Sequence, residues 1–177
     1  MPSLNFRLAT IHDIDLLVNL VNSAYRGDSS RSGWTTEADL LGGQRTDRDE
    51  MLSLIETAGS IILLGIQDTE IIASLHLQQD GTNAYLGMFA IRPSLQGAGI
   101  GKQCLHQAEH YACRAWGVST LQMTVITLRH ELIAYYERRG YQRTGILKPF
   151  PTSPRFGIPK VTGLQLTLLE KKLSTKP

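Results

Sequence analysis

Cysteine is nearly absent from this chain. Of 177 residues only Cys104 and Cys113 carry a thiol, and both fall in one stretch of helical pattern. Nine positions apart on a helix, they would stand about 13 Å from each other, too far to bridge. A disulfide framework is excluded, and a reducing, cytoplasmic setting is expected. There is no Cys-x-x-Cys and no His/Cys cluster, so no metal is expected. No apolar run approaches the roughly 18 residues of a membrane span. Met1-Pro2-Ser3 leads into strand-like sequence rather than a basic-then-apolar leader, so neither export nor a membrane partner is expected. A dominant charge is missing too. Lys and Arg number 18 against 16 Asp and Glu, a net +2, too weak for a nucleic-acid partner. Repeats and low-complexity linkers are also lacking. The 42% hydrophobic content fills one core, so residues 1–177 are expected to form a single domain.

What is present is an uninterrupted alternation of strand and helix patterns. Asn5–Ala9 reads as a strand. Thr10 and Asp13 form a capping box opening a helix to about Tyr25, with Ile14, Leu17, Val18 and Val21 on its buried face. The polar stretch 26–43 is broken by a short helical Thr36–Leu41. Thr46 and Asp49 read as a second capping box, for a helix through Ala58. Ser60–Gln67, Ile71–Gln79 and Ala84–Ile91 read as three successive strands. A helix ending near Gly117, a strand at Leu121–Ile126, a helix around Tyr136, and strands at Tyr141–Leu147 and Leu164–Leu169 complete the order β-α-α-β-β-β-α-β-α-β-β.

The stretch Gln96-Gly97-Ala98-Gly99-Ile100-Gly101-Lys102 joins the third of those strands to the helix behind it. Three alternating glycines let a backbone turn tightly with no Cβ in the way, so several amides can point at one ligand. With a helix N-terminus just behind, phosphate or pyrophosphate is the ligand expected, although such a turn can also serve only to pack a helix on a strand. A P-loop would need glycine where Gln96 stands and Ser or Thr after Lys102, where Gln103 stands instead. A dinucleotide loop would need a sixth-position glycine; Lys102 or Cys104 occupies it, depending on where counting starts.

Gln96, Gly99 and Gly101 do fit Gln/Arg-x-x-Gly-x-Gly/Ala, and in this the chain resembles the acetyl-CoA loop of the GNAT N-acetyltransferase superfamily. Phe89-Ala90-Ile91-Arg92-Pro93 resembles the end of that family's fourth strand. About 30 residues downstream, Leu132-Ile133-Ala134-Tyr135-Tyr136-Glu137-Arg138-Arg139-Gly140-Tyr141 resembles its helix-then-strand signature. The resemblance implies an α/β (α+β) fold. Its mixed, mostly antiparallel sheet would have about seven strands, helices on both faces, and a splay between the fourth and fifth strands. It implies acetyl-CoA as donor, held by backbone groups at Phe89 and Ile91 and by the loop Gln96, Gly97, Ala98, Gly99, Ile100, Gly101 and Lys102. It implies Tyr136 as the acid that protonates the departing thiolate; Tyr135 points about 100° away around the helix. Where many members carry an Asn contacting the pantetheine arm, this chain has Arg129, so that role is not carried over. Arg138-Arg139 reads as a solvated helix end.

A thioester is activated, so an amine can attack it directly in a ternary complex. The enzyme's tasks are to align the reactants, polarise the carbonyl and move protons. The base is not identified by sequence. Tyr85 stands where some members carry a Glu; His76, Glu37, Asp39 and a water chain are the other candidates. Cys104 and Cys113 have no Asp or His beside them in sequence and read as packing residues.

Acceptor choice is expected in two long segments, residues 25–37 and 148–160, with Arg31, Trp34, Glu37, Phe150 and Arg155 as candidate contacts. Convergence of Arg31 with Arg155 would mean a substrate carboxylate; dominance of Glu37 and Asp39 would mean a polyamine or another cation. The acceptor expected is a primary amine of a small molecule, and the protein a monomer or homodimer. A protein or peptide acetyltransferase and a non-catalytic acyl-CoA sensor are the alternatives.

Overall fold

A computed structural model describes residues 3–174. Strand β1 (Asn5–Leu8) leads through a 3-10 turn at Ile11–Asp13 into helix α1 (Ile14–Tyr25), followed by the single-turn helix α2 (Gly27–Ser30). A two-residue strand β2 (Leu41–Gly42) and helix α3 (Arg48–Glu56) come next. Strands β3 (Ser60–Gln67), β4 (Glu70–Asp80) and β5 (Asn83–Ile91) form a meander. Helix α4 (Ile100–Trp116), strand β6 (Thr120–Ile126) and helix α5 (His130–Glu137) follow, then β7 (Gln142–Pro149), β8 (Ile158–Pro159) and β9 (Gln165–Lys172). Among the described residues no helix is long and apolar enough to cross a membrane.

The first capping box forms as its spacing predicts: Asp13 accepts from the Thr10 amide at 2.8 Å. Arg7 holds the same carboxylate with two further bonds of 2.8 Å, which lowers its pKa to about 2. The second box is shifted by one residue. Asp47, not Thr46, caps α3 by accepting from the Glu50 amide at 2.8 Å, while Thr46 donates to the Glu50 carboxylate at 2.7 Å. The predicted helix at 36–41 is a turn, in which the amides of Leu40 and Leu41 both bond Glu37 O at 2.9 Å. The helical turn in this segment lies earlier, at α2.

Seven strands form one sheet in the order β1-β3-β4-β5-β6-β9-β7, in which β5 and β6 are the parallel pair. Helices α1 and α3 cover one face, packing Leu17, Val21 and Met51 on Ile62 and Leu64. Helices α4 and α5 cover the other, packing Leu105, Ala108 and Ile133 on Leu75, Leu77 and Leu121. The fold is thus mixed, mostly antiparallel and covered on both faces. Strands β2 and β8 pair as a separate two-stranded sheet, which clips the two long segments to each other.

Strand β5 changes face partway. Ala84 and Leu86 point into the α4 side, whereas Met88 and Ala90 point into the α1 side. A regular strand would keep all four on one face. The flip is made by a bulge: Ser74 pairs with Ala90 but His76 with Gly87, so β5 carries one residue more than β4 between those pairs. Met88 takes the strain at φ 43°, a left-handed conformation that costs a non-glycine residue about 1–2 kcal/mol. Its side chain is buried, which offsets that cost.

Candidate active site

The bulge turns β5 away from β6. The two strands pair at Asn83–Thr120, Ala84–Leu121 and Tyr85–Gln122 and no further. Beyond that point β5 stays on β4 as far as Ile91, and β6 stays on β9 as far as Ile126. A wedge therefore opens between Leu86–Ile91 and Met123–Ile126, and its β5 wall is a strand edge with unpaired backbone groups. A cavity of about 670 Å³ fills the wedge, with Met88, Phe89, Met123, Val125, Phe150 and Leu168 among its apolar lining. A second space of about 70 Å³ lies toward the glycine loop, against Trp34, Ile91, Gln96 and Tyr135. Tyr25, Glu37, Phe89, Arg129, Leu132 and Tyr136 line both, so they stand where the two spaces meet.

The glycine loop adopts the backbone its composition permits. Gly97 and Gly99 have φ of 89° and 80°, and no atom lies within 4 Å of where a Gly97 side chain would begin. The first intrahelical bond of α4 is Gln103 N–H to Gly99 O at 3.3 Å, and the amides before it are the open donors of a helix start. Lys102 is exposed in that first turn. At Gly101 a Cβ would collide with Tyr135 Oη, so the glycine there makes room for a tyrosine rather than for a bend.

Residues 33–35 lie across this loop. Gln96 donates to Ile91 O at 3.2 Å, and its carboxamide packs on Gly33 so closely that a Cβ there would collide. Gln96 Oε1 is buried without a hydrogen-bond partner. Trp34 stacks on Tyr135 with ring centroids 5.3 Å apart, and the Arg139 guanidinium covers the Tyr135 ring at 3.4 Å. Arg139 therefore belongs to this cluster and is no solvated helix end, whereas Arg138 is exposed. Thr35 accepts from Arg129 Nη2 at 2.6 Å and donates to Glu131 at 3.1 Å.

Tyr136 is buried where the cavities join, its ring held edge-on by Tyr135 at 5.4 Å and Tyr141 at 5.8 Å. Burial pushes its pKa above the ordinary value, so the phenol keeps its proton across the neutral range. Opposite it, Glu37 bridges two arginines. Its Oε2 pairs with Arg26 Nη1 and its Oε1 with Arg129 Nη1 at 2.9 Å. All three side chains are buried, and burial lowers the pKa of Arg26 against the raising effect of Glu37. One carboxylate thus serves two guanidiniums, with Glu131 Oε1 3.9 Å from Arg129 Nε on the far side.

Of the base candidates, Tyr85 is taken at the apex of the wedge, its hydroxyl 2.6 Å from Thr124 Oγ1. His76 lines the larger cavity with Nε2 2.8 Å from Ser60 Oγ. Burial first, and the charge of Arg45 second, pull its pKa down to about 4. It is neutral at pH 7 and a weak acceptor. Asp39 is exposed and paired with Arg31 at 2.7 Å. Cys104 is buried, its thiol pushed up to about 12 by desolvation, which suits a packing role.

The five candidate acceptor contacts part company. Glu37 and Phe150 line the large cavity, Glu37 with both oxygens engaged. Trp34 lines the smaller space, on the side of the glycine loop. Arg31 and Arg155 do not converge and line neither space: Arg31 pairs with Asp39 and Asp28, and Arg155 with Asp47 at 2.8 Å. The conditional reading of a carboxylate held by those two arginines is corrected by these pairings. Sequence reasoning also missed Arg26 and Tyr25, which carry no motif; Arg129 was visible only as a departure from an expected Asn.

The sequence profile of the acetyltransferase (GNAT) family matches residues 17–141, a span that includes the glycine loop, the bulged strand and Tyr136. Among curated protein sequences, none matches significantly. Solved structures share the fold at low identity. The protein named yncA from Salmonella typhimurium, solved with its cofactor acetyl-CoA, superposes with a TM-score of 0.70 at 18% identity, over 99% of this chain and 96% of that one. The ribosomal-protein-S18-alanine N-acetyltransferase from Escherichia coli gives 0.71 at 15%, over 99% and 97%. A chimera of spermidine N-acetyltransferase SpeG from Vibrio cholerae with hSSAT gives 0.70 at 16%, over 96% and 95%. The chain belongs to the GNAT acetyltransferase family and is an acyltransferase of the acetyl-CoA-dependent N-acetyltransferase type.

Proposed function

We propose that this protein transfers an acetyl group from acetyl-CoA directly to a primary amine of a small molecule, within a ternary complex and with Tyr136 as general acid. The observation that carries this reading is the junction at Tyr136. One buried phenol lines both the space beside the glycine loop and the larger cavity in the wedge, where donor and acceptor would have to meet.

The residues present fit the donor. The open amides of Gly97, Ala98, Gly99, Ile100 and Gly101 would take its pyrophosphate, with Lys102 beside them; Gln96, its Nε2 bonded to Ile91 O, has only its acceptor Oε1 to offer and would take an N–H of the donor. The unpaired edge of β5 at Phe89 and Ile91 would take its amide-bearing arm as an added strand. When bound, acetyl-CoA supplies an acetyl group already activated as a thioester. The chain's own part is positional and protic. The wedge aligns the amine, apolar walls exclude water, and Tyr136 delivers a proton at its Oη to the departing sulfur.

A small acceptor is favoured over a protein because Glu37, Lys148, Phe150 and Pro151 wall the cavity, and the chain just beyond them is tied together at 38–42 and 158–160. Lys160 donates through Nζ to Ala38 O at 2.7 Å and through its amide to Leu40 O at 2.8 Å, next to the β2–β8 pair. Such a clip narrows the approach to the cavity, which supports a small acceptor. The free thiols of Cys104 and Cys113 suit a reducing cytoplasm.

The test is Tyr136→Phe, assayed by CoA release across a panel of amines, amino acids and peptides. Turnover should fall by about 10²–10⁴-fold, with acetyl-CoA affinity nearly unchanged. Undiminished turnover removes Tyr136 from its role, and tight acetyl-CoA binding without release from any acceptor points to a sensor instead.

A further inference from the structure

The charges on the cavity wall say more about the acceptor than its shape does. Arg26, Arg129 and Arg45 all line the larger cavity, and two carboxylates, Glu37 and Glu50, stand among them. Glu37 is fully engaged, one oxygen on Arg26 and the other on Arg129. Glu37 therefore offers a cationic acceptor no free face, and Glu50 is half taken, its Oε2 accepting from Thr46 at 2.7 Å. Arg45 is 4.0 Å from Glu50, and its Nη1 is buried without a hydrogen bond. Arg129 spends Nη1 on Glu37 and Nη2 on Thr35, while its Nε is buried and has no acceptor; Glu131 Oε1, at 3.9 Å, is too far. The Arg129 side chain is 8% exposed. Lys148 and Asp80, at the exposed rim, add one charge of each sign.

A buried guanidinium keeps its charge and is costly to leave with donors unpaired. Below the rim, three guanidiniums and two carboxylates line the cavity; Glu131, outside the lining, lies 3.9 Å from Arg129 Nε without hydrogen-bonding it, so Arg129 Nε and Arg45 Nη1 are left over as buried donors. Phe89, Met123, Val125, Leu132 and Phe150 give the cavity an apolar side as well, beside polar residues such as Gln78, Gln122 and Thr124. Resting on the acetyltransferase reading above, we propose that the acceptor is an amino-acid-type molecule. Its carboxylate is held by Arg129 with the help of Arg26 and Arg45, and its apolar body lies against the wedge.

The experiment separates binding from turnover. With CoA present, the L-amino acids and their decarboxylated amines (L-phenylalanine and phenethylamine, L-methionine and its amine, and so on) are titrated calorimetrically, with spermidine as a polycation. At least one amino acid should bind about tenfold or more tighter than its own amine, the advantage of a charge-assisted bond. Arg129→Gln should abolish that ratio and Arg129→Lys should retain part of it. The ratio guards against a merely structural loss, which would weaken both probes alike. Equal binding of each pair, tighter spermidine, no amino-acid binding at millimolar concentration, or an unchanged ratio in Arg129→Gln overturns the assignment. So does a preference for succinyl-CoA over acetyl-CoA, which would place the carboxylate on the donor. A carboxylate preference without CoA release leaves this subsite standing and fails the transferase reading; CoA release from amines with no such preference does the reverse.

Discussion

Replacing Glu37 by Gln keeps the shape of the side chain and removes the charge that two buried guanidiniums share. In the native protein the side chains of Arg26, Glu37 and Arg129 are 5%, 10% and 8% exposed, so little water can stand in for the lost carboxylate. Breaking a buried ion pair by deleting one partner costs about 3–5 kcal/mol, because the stranded charge stays behind. Here two guanidiniums lose the carboxylate they share, which places the expected loss at the upper end, about 4–5 kcal/mol. For a domain stable by about 5–15 kcal/mol, that is the margin between a sound fold and a marginal one.

The assay is urea unfolding of the wild type and of Glu37→Gln, with Arg31→Ala as the surface control. Arg31 pairs with Asp39 at 2.7 Å, yet its side chain is 44% exposed and that of Asp39 76%, so water screens the pair and its removal should cost little. At a slope of about 2 kcal/mol/M, the Glu37 midpoint should fall by roughly 2 M and the Arg31 midpoint should barely move. Salt sharpens the contrast. Near 1 M NaCl the Debye length is about 3 Å, which should erase the Arg31 effect and leave that of Glu37 largely intact. A Glu37→Gln loss below about 1 kcal/mol, or one that vanishes in salt, would refute the claim that the triad is dry.

Gly101→Ala should destabilise despite a helix-propensity gain of about 1 kcal/mol, because the new methyl meets Tyr135 Oη. Adding Tyr135→Phe should restore stability in a double-mutant cycle, and an additive cycle refutes the contact. His76 should leave a mark on the pH dependence. Folded, it binds no proton until about 4, whereas its ordinary pKa is 6.5, so the unfolded chain binds more protons between those values and stability falls as pH drops through that window. The loss is on the order of 3 kcal/mol. It should be absent in His76→Gln, and a wild-type stability that is flat from pH 6.5 to 4 contradicts it.

The parts of the fold that depend on local pattern were legible. The strands at 60–67, 70–80 and 83–91 announce themselves by runs of Ile, Leu and Ala between turn residues, and the glycine loop by its spacing. Helix α5 was found from Tyr136 and its neighbours, since a motif fixes a face as well as a place. What escaped depends on contacts far apart in the chain. Arg129 is 92 residues from Glu37, and nothing near either residue signals the pairing. The helix assigned to 36–41 failed for the same reason. Glu37 is drawn inward by two arginines and Lys160 pulls on Ala38 O, so tertiary bonds replaced a weak helical preference by a turn. The cap of α3 moved because Asp47 and Thr46 compete for one position, and the carboxylate is the stronger acceptor for the Glu50 amide.

The bulge in β5 links these levels. Without the extra residue, Met88 and Ala90 would share a face with Leu86, the strand would run on beside β6, and no wedge would exist. No glycine marks the spot where φ turns positive; Gly87 is adjacent, and Met88 itself bears the strain. That choice has a physical reason. A glycine at 88 would relax the backbone by about 1–2 kcal/mol, yet it would remove a buried side chain from the contact between β5 and α1, a loss of about 2–5 kcal/mol. Packing wins that comparison. The same methionine that fills the α1 face therefore holds open the β5 edge, and with it the gap in which Tyr136 and the arginine-rich wall face each other.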